Sequence, residues 1–151
     1  MKIAIALLVI LCMLSSANAY TVFRYHNGDE ILRQLQLKDD QIYILFFFDA
    51  PGANRDLRTT NDYYKDRLRA EVLEPVSGPK NQPADYFYAE IDATDVYGNG
   101  YLVDRLGVDR AALKEKPTIV VMKNGVGNLV YGPTAMHSII SSLKTLSNPA
   151  K

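Results

Sequence analysis

The sequence predicts an α/β fold, a three-layer sandwich in which a mixed central sheet is flanked by helices. Three observations predict it. Segments with strand and helix patterns alternate along most of the chain. The continuously apolar run Ile42–Phe48 is typical of a strand that is buried on both faces at the centre of a sheet. Near the end, two short strands joined at Asn124-Gly125 indicate a hairpin, and one more helix follows it.

The first half of the chain alternates twice between strand and helix. In order, the pattern predicts strand Tyr20–Tyr25, helix Asp29–Leu37, strand Gln41–Phe48 and helix Asp56–Leu73. Ile31, Leu32 and Leu35 recur at the spacing that places them on one helix face. Asn27 or Asp29 could cap the start of that first helix, and 49–54 breaks the pattern as a turn.

The second half opens with a Pro/Gly/Ser loop at 75–83. The segments that follow are strand Asp85–Ile91, a polar turn Asp95–Gly100, a short helix Tyr101–Leu106, strand Thr118–Met122, strand Gly127–Tyr131 and a last helix ending near Leu146. Since no internal repeat is present and the length suits one core, we expect a single domain over residues 20–147 and a short tail at 148–151.

The N-terminus has the pattern of a cleavable signal peptide over residues 1–19. Lys2 precedes an apolar run, Ile3–Leu14, and Ala17-Asn18-Ala19 fits the small-residue cleavage site. The apolar run is too short to span a bilayer, so we expect no membrane span after cleavage. The C-terminus is not a KDEL-type retention signal. The sequence therefore predicts the secretory pathway, either lumenal or extracellular.

Charge and cysteine content exclude several functions. The formal net charge of the 151 residues is zero and no polybasic run is present, so we expect no nucleic-acid binding. The single cysteine, Cys12, lies in the predicted leader. After cleavage the chain would therefore contain no thiol and could form no disulfide.

Pro117 to Gly125, with the later Gly132, resembles the second half of a thioredoxin. Ile44–Phe48 resembles the central strand of that family, and Glu90-Ile91-Asp92 resembles its parallel neighbour. The resemblance implies that Pro117 is a cis-proline at the start of the strand beside the active site.

The chain departs from that family where its chemistry resides. The resemblance places a Cys-x-x-Cys pair at the turn after the central strand, where this chain has Pro51, Gly52, Asn54 and Arg55 at the two possible alignments. It also places a buried acid on the central strand, where this chain has Leu45 or Phe46. Because no thiolate can attack a disulfide, we expect a redox-inactive, non-enzymatic member without cofactors.

The resemblance implies a face that recognises extended peptide by backbone pairing. Its candidate residues here are Pro51, Gly52, Ala53, Asn54, Lys116, Pro117 and Thr118. Asp109–Lys116 is a few residues longer than the family's segment and would lie beside them. The expected partner is a protein or peptide, or a second copy of this chain. Tyrosines in nearby segments are either interface or core residues.

Two other functions remain open. A cysteine-free enzyme would need a nucleophile and base that the sequence does not display. A low-affinity calcium-binding protein is suggested by Asp95–Gly100, but Leu106 stands where a calcium loop has glutamate. His26 and His137 are far apart in the sequence and do not predict a metal site.

Overall fold

The computed structural model of the protein describes residues 20–37, 40–74 and 86–147. The predicted leader, the whole of the predicted loop at 75–83 and the predicted tail lie outside those ranges. Within the described ranges, no helix combines the length and the apolar character needed to cross a membrane.

Strands and helices alternate in the predicted order, with one additional short helix. The elements are β1 (Tyr20–Val22), α1 (Gly28–Gln36), β2 (Ile42–Phe48), α2 (Arg55–Leu68), β3 (Tyr86–Asp92), α3 (Val96–Arg105), α4 (Arg110–Leu113), β4 (Thr118–Lys123), β5 (Val126–Val130) and α5 (Ala135–Ser147). A π-helical turn, Arg69–Leu73, continues α2 to the predicted end of that helix. The wider turn places both Val72 and Leu73 in the core.

The five strands form one mixed sheet in the order β1-β3-β2-β4-β5. β1 and β2 both pair with β3 in parallel, whereas β4 runs antiparallel to β2 and β5 antiparallel to β4. The predicted hairpin is present, and its two turn residues have positive φ, 52° at Asn124 and 77° at Gly125. Two positive φ values match the right-handed twist of the strands that such a turn joins.

Each face of the sheet is covered by helices, because β2 alternates its side chains between two apolar clusters. Ile42, Ile44 and Phe46 face the end of α2, the π-turn and α5. Tyr43, Leu45 and Phe47 face α1, α3 and Leu113 of α4. The predicted three-layer sandwich is confirmed.

Most boundaries agree with the predictions to within one residue, but two differ by more and one helix is additional. β1 ends at Val22 rather than Tyr25, although the N–H of Phe23 still donates to the carbonyl of Tyr88 at 2.7 Å. α3 begins at Val96 rather than Tyr101, so the predicted turn Asp95–Gly100 is mostly helix. α4 was not predicted, and it forms inside the extra segment before β4 with Asp109 as its N-cap.

Candidate binding face at the carboxyl edge of the sheet

The predicted site residues lie at one edge of the sheet. β2 and β3 are parallel and end together, with Phe48 opposite Asp92, and β4 starts there because Thr118 lies opposite Phe47. The N–H of Ala93 donates to the carbonyl of Phe48 at 2.8 Å and joins the loops that follow β2 and β3. We call the loops 49–54 and 93–95, together with 116–118, the carboxyl edge.

The turn after β2 is held by hydrogen bonds but presents its surface to solvent. Asn54 caps α2 by accepting from the N–H of Leu57 at 3.1 Å, and its own N–H donates to the carbonyl of Pro51 at 2.7 Å. Gly52 has a φ of 50°, which favours glycine. Its carbonyl accepts from Nη2 of Arg58 at 3.0 Å. Gly52, Ala53 and Asn54 are all exposed, so partner backbone could reach this turn.

A buried amide on α2 supports the same turn from below. Asn61 is 5% exposed, and its Nδ2 donates to the carbonyl of Asp49 at 3.1 Å, whereas its Oδ1 accepts no hydrogen bond from the described residues. Beside it lies a cavity of about 60 Å³. Its lining is Phe46, Phe48, Pro51, Arg58, Asn61, Asp62 and Lys65. A water occupies about 30 Å³ of liquid volume, so this cavity suits water rather than a substrate.

The second predicted segment is mostly buried. Pro117 and Thr118 are buried, with Thr118 only 3% exposed, so their side chains add little accessible surface. Lys116 is half-buried, and its Nζ lies 5.4 Å from the centre of the Tyr131 ring. Of the seven predicted residues only Pro51 lines the cavity next to Asn61. The structure brings the two segments to one edge without joining them in that cavity.

The expected cis-proline is wrong, because the described residues contain no cis peptide bond and the bond between Lys116 and Pro117 is therefore trans. The N–H groups of Glu115 and Lys116 both donate to the carbonyl of Ala112, at 3.0 and 3.1 Å, and extend α4 by a turn. The chain then enters β4 in the trans form, which an X-Pro bond prefers by about 0.5–1 kcal/mol.

An acid that the prediction missed lies on β3 rather than on β2. Glu90 is opposite Phe46, one of the two positions where the resemblance had placed a buried acid. Its carboxylate is 2.7 Å from Nζ of Lys65 and accepts from the hydroxyl of Tyr88 at 3.0 Å. In the sequence, Glu90 is a charged residue within a mostly apolar strand, but the pattern does not indicate that Lys65 of α2 is its partner.

The tyrosine beside this ion pair is unsuited to nucleophilic chemistry. Burial, and after it the charge of Glu90, raise the pKa of Tyr88 far above its ordinary value. The hydroxyl therefore remains protonated and acts as a hydrogen-bond donor. The ion pair of Lys65 and Glu90, together with the hydroxyl of Tyr88, connects α2 to the sheet.

Exposed aromatic side chains lie on the helix that leaves the carboxyl edge after β3. Val96 is 61% exposed, Tyr97 105% and Tyr101 66%. Tyr97 and Tyr101 are four residues apart and therefore neighbours on the helix surface. The sequence left these tyrosines open between core and interface, because tyrosine is common in both places.

The segment that resembled a calcium loop has another role. Asp95 caps α3, and its Oδ1 accepts from the N–H of Gly98 at 2.9 Å. Among residues 20–37, 40–74 and 86–147, no three His, Cys, Asp or Glu side chains are grouped so that they could hold a metal ion.

No family model and no curated protein matches the sequence. Solved structures do match. Thioredoxin from Trypanosoma brucei brucei has a TM-score of 0.55 at 14% identity, over 87% of this chain and 95% of its own. The first thioredoxin domain of mouse protein disulfide-isomerase A4 has a TM-score of 0.51 at 18% identity, over 91% of this chain and 81% of its own. This chain has the thioredoxin fold.

ERdj5 contains a similar region, with a TM-score of 0.51 at 16% identity over 88% of this chain and 14% of ERdj5. At such identities the likeness concerns the fold alone. Within that fold the present chain lacks a Cys-x-x-Cys motif, because Cys12 is its single cysteine. The thioredoxin-like fold without the redox motif agrees with the resemblance seen in the sequence.

Proposed function

We propose that this chain is a redox-inactive thioredoxin-fold module of the secretory pathway that binds a protein or peptide partner at its carboxyl edge. It performs no catalysis there. The observation that carries the proposal is the exposed group Val96, Tyr97 and Tyr101 on α3, the helix that follows the 93–95 loop of the carboxyl edge, together with the exposed turn 52–54 at the same edge.

Tyrosine supplies large contact area and a polar tip, and it is enriched at protein interfaces for that reason. Tyr97 has as much accessible surface as a side chain without neighbours, 105%. Because these two tyrosines and Val96 are exposed, the burial of their apolar surface does not contribute to the stability of the fold. A partner that covers them would gain about 25 cal/mol for each Å² of apolar surface removed from water.

The neighbouring turn complements this apolar group with polar backbone. Gly52 and Ala53 are exposed and carry little side chain, so an extended segment could approach their backbone closely. Hydrogen bonds from Arg58 to Gly52 and from Asn61 to Asp49 hold the turn in place before binding. Such preorganisation lowers the entropy cost of association.

The test is a selection of extended peptides from a random displayed library against the folded chain, followed by calorimetric measurement of Kd. Because an aromatic hot spot contributes about 2 kcal/mol or more, Tyr97→Ser should weaken the binding of the selected peptides about thirtyfold or more. Ala53→Glu should weaken it as well. Tyr63→Ser is the matched control, since Tyr63 is also an exposed helical tyrosine, 54%, but lies on α2. Peptides that bind both site variants as tightly as the wild type would refute this location.

Redox inactivity has a separate test in the reduction of insulin by dithiothreitol, with a thioredoxin as the positive control. We expect the rate with this chain to equal the rate with dithiothreitol alone. Acceleration above that rate would show thiol-independent or unforeseen redox chemistry and would overturn the noncatalytic proposal.

A further inference from the structure

Among the described residues, the outer edge of β5 has no partner strand, because β5 is the last strand of the sheet. Val126 is 68% exposed and Leu129 43%, and Tyr131 just beyond the strand is 59% exposed. Proteins usually protect such an edge with charges, proline or a very short strand, because open edges recruit other strands.

β5 has none of these protections. It is five residues long, and the segment 124–134 contains no charged residue. The nearest charged residue in the sequence, Lys123, lies 3.5 Å from the carboxylate of Asp40, and in space Nζ of Lys116 lies 5.4 Å from the centre of the Tyr131 ring, at the far end of the segment. A second β5 could therefore approach without repulsion between like charges.

β1, the strand at the opposite edge of the sheet, differs in both respects. It has three residues, and Arg24 follows it closely in the sequence. A short strand beside a charge is a poor template for pairing. β5 is therefore the edge that favours association.

The sequence of β5 is complementary to itself in one register. When two copies pair antiparallel about Asn128, Leu129 of each copy lies opposite Gly127 of the other, and Tyr131 lies opposite Gly125. Residues directly opposite in an antiparallel pair share a face of the sheet. The two bulky exposed side chains thus each meet a glycine, which leaves room for them.

The other face of this register is complementary too. Val126 lies opposite Val130 of the second copy, and Asn128 lies opposite Asn128. Beside Val130, β5 and α5 enclose a groove of about 530 Å³. Its lining is Asn128, Leu129, Val130, Tyr131, His137, Ser138, Ser141 and Ser142. The serines of α5 leave space there, so the exposed Val126 of one copy can enter the groove of the other.

We propose that two copies of this chain associate through antiparallel pairing of their β5 strands about a two-fold axis at Asn128, which makes one continuous ten-stranded sheet from two sheets of five. The occupant of each open edge is thus a second copy. The association pairs residues 125–131, none of which is Tyr97 or Ala53, so the variants that test the two proposals differ and each proposal can fail or succeed independently of the other.

The first test measures the mass of the full chain by light scattering across a wide concentration range. We expect a concentration-dependent dimer with a Kd of about micromolar, because the paired area is small for a protein interface. Leu129→Lys and Leu129→Glu should each give monomers, since the two residues 129 are diagonal neighbours across the axis. An equimolar mixture of the two variants should dimerise again, and Val22→Lys on β1 should dimerise as the wild type does.

A covalent test checks the register without relying on those variants. In a Cys12→Ser background, Asn128→Cys should form a disulfide-linked dimer on mild oxidation, because opposite Cα atoms in an antiparallel pair lie about 4.5–5.5 Å apart. Thr21→Cys on β1 should remain a monomer. A wild type that stays monomeric at every concentration would overturn the proposal. A dimer that persists in both Leu129 variants, or one that Asn128→Cys fails to link, would overturn it too.

Discussion

Gly28, the first residue of α1, sets how closely two helices approach on one side of the sheet. A Cβ built on Gly28 would lie 2.7 Å from Cβ of Leu102 and 3.3 Å from the carbonyl oxygen of Gly98, both in α3. The close contact between α1 and α3 therefore requires glycine at position 28, because a Cβ added there must displace α3.

Gly28→Ala should therefore lower the free energy of unfolding by about 1–3 kcal/mol, even though alanine favours helix. Urea unfolding followed by circular dichroism would measure it. Gln36→Ala, at an exposed position of the same helix, should change the free energy by less than about 0.5 kcal/mol. A Gly28→Ala protein as stable as the wild type would show that α1 and α3 can separate at no cost.

A second residue-scale feature is the hydroxyl of Tyr25, which forms a hydrogen bond to the backbone of β3. The hydroxyl of Tyr25 donates to the carbonyl of Glu90 at 2.6 Å. Burial, and after it the charge of Asp92, raise the pKa of Tyr25 from 10.0 to about 12. The folded chain keeps this proton at pH values where the unfolded chain loses it, so stability present below pH 10 falls as the pH rises towards 12.

Tyr25→Phe should reduce the loss of stability between about pH 8 and about pH 11, while lowering stability at neutral pH through the lost hydrogen bond, by about 1 kcal/mol. Urea midpoints at the two pH values would measure both effects. Tyr97→Phe is the matched control, because it removes the hydroxyl of a tyrosine that is fully exposed. Equal pH dependence in the wild type and Tyr25→Phe would rule out this linkage.

At the scale of elements, α3 shows why part of the fold could not be predicted. Gly98, Asn99 and Gly100 suggested a turn because glycine weakens helices. In the structure, Asn99 is buried and its Nδ2 donates to the carbonyl of Asp92 at 2.9 Å, whereas the carbonyl of Gly100 accepts from Arg110 at 3.1 Å. Tertiary contacts therefore impose the helix, and no local pattern reports them.

The start of α3 depends on its cap. Asp95→Ala removes the acceptor for the N–H of Gly98 and should lower the free energy of unfolding by about 0.5–2 kcal/mol. Asp95→Asn keeps an acceptor oxygen and should lower the free energy of unfolding by only about a few tenths of a kcal/mol. Thermal unfolding of the three proteins would compare them. If Asp95→Ala and Asp95→Asn were equally stable, the cap would not hold this helix in place.

Arg110 connects α4, the unpredicted helix, to the carboxyl edge. Its guanidinium donates to the carbonyls of Ala93 and Gly100 at 3.0 and 3.1 Å and to Oδ1 of Asp104 at 3.2 Å. A lysine has one nitrogen and cannot reach all three acceptors. Arg110→Lys should therefore lower the free energy of unfolding by about 1–3 kcal/mol, measured by urea unfolding. Lys114→Arg, on the exposed side of the same segment, should leave it unchanged.

At the scale of the whole molecule, the fold could be predicted because its strongest signals are local. The apolar run of β2 and the Asn124-Gly125 hairpin each specify an element without reference to the rest of the chain. The site was only partly predictable. The resemblance to thioredoxin placed the turn 51–54 and the start of β4 on one face, but the burial of Pro117 and Thr118 depends on packing. The exposure of Tyr97 and Tyr101 could not be predicted, because it depends on where α3 begins.

A single experiment on the whole chain tests both the cleavage of the predicted leader and the absence of a thiol from the mature chain. Produced with residues 1–19 in cells with a secretory pathway, the protein should be recovered from the lumen or medium with Tyr20 at its N-terminus. Because Cys12 is the single cysteine, the recovered chain should show no thiol in a denaturing thiol titration. Intact-mass spectrometry and N-terminal sequencing would check both expectations. A recovered chain that retains Cys12 would contradict cleavage, and it would leave one thiol, which cannot form an intramolecular disulfide. Ala19→Arg is the informative variant, since a large charged residue at the cleavage position should block processing and keep that thiol in the product.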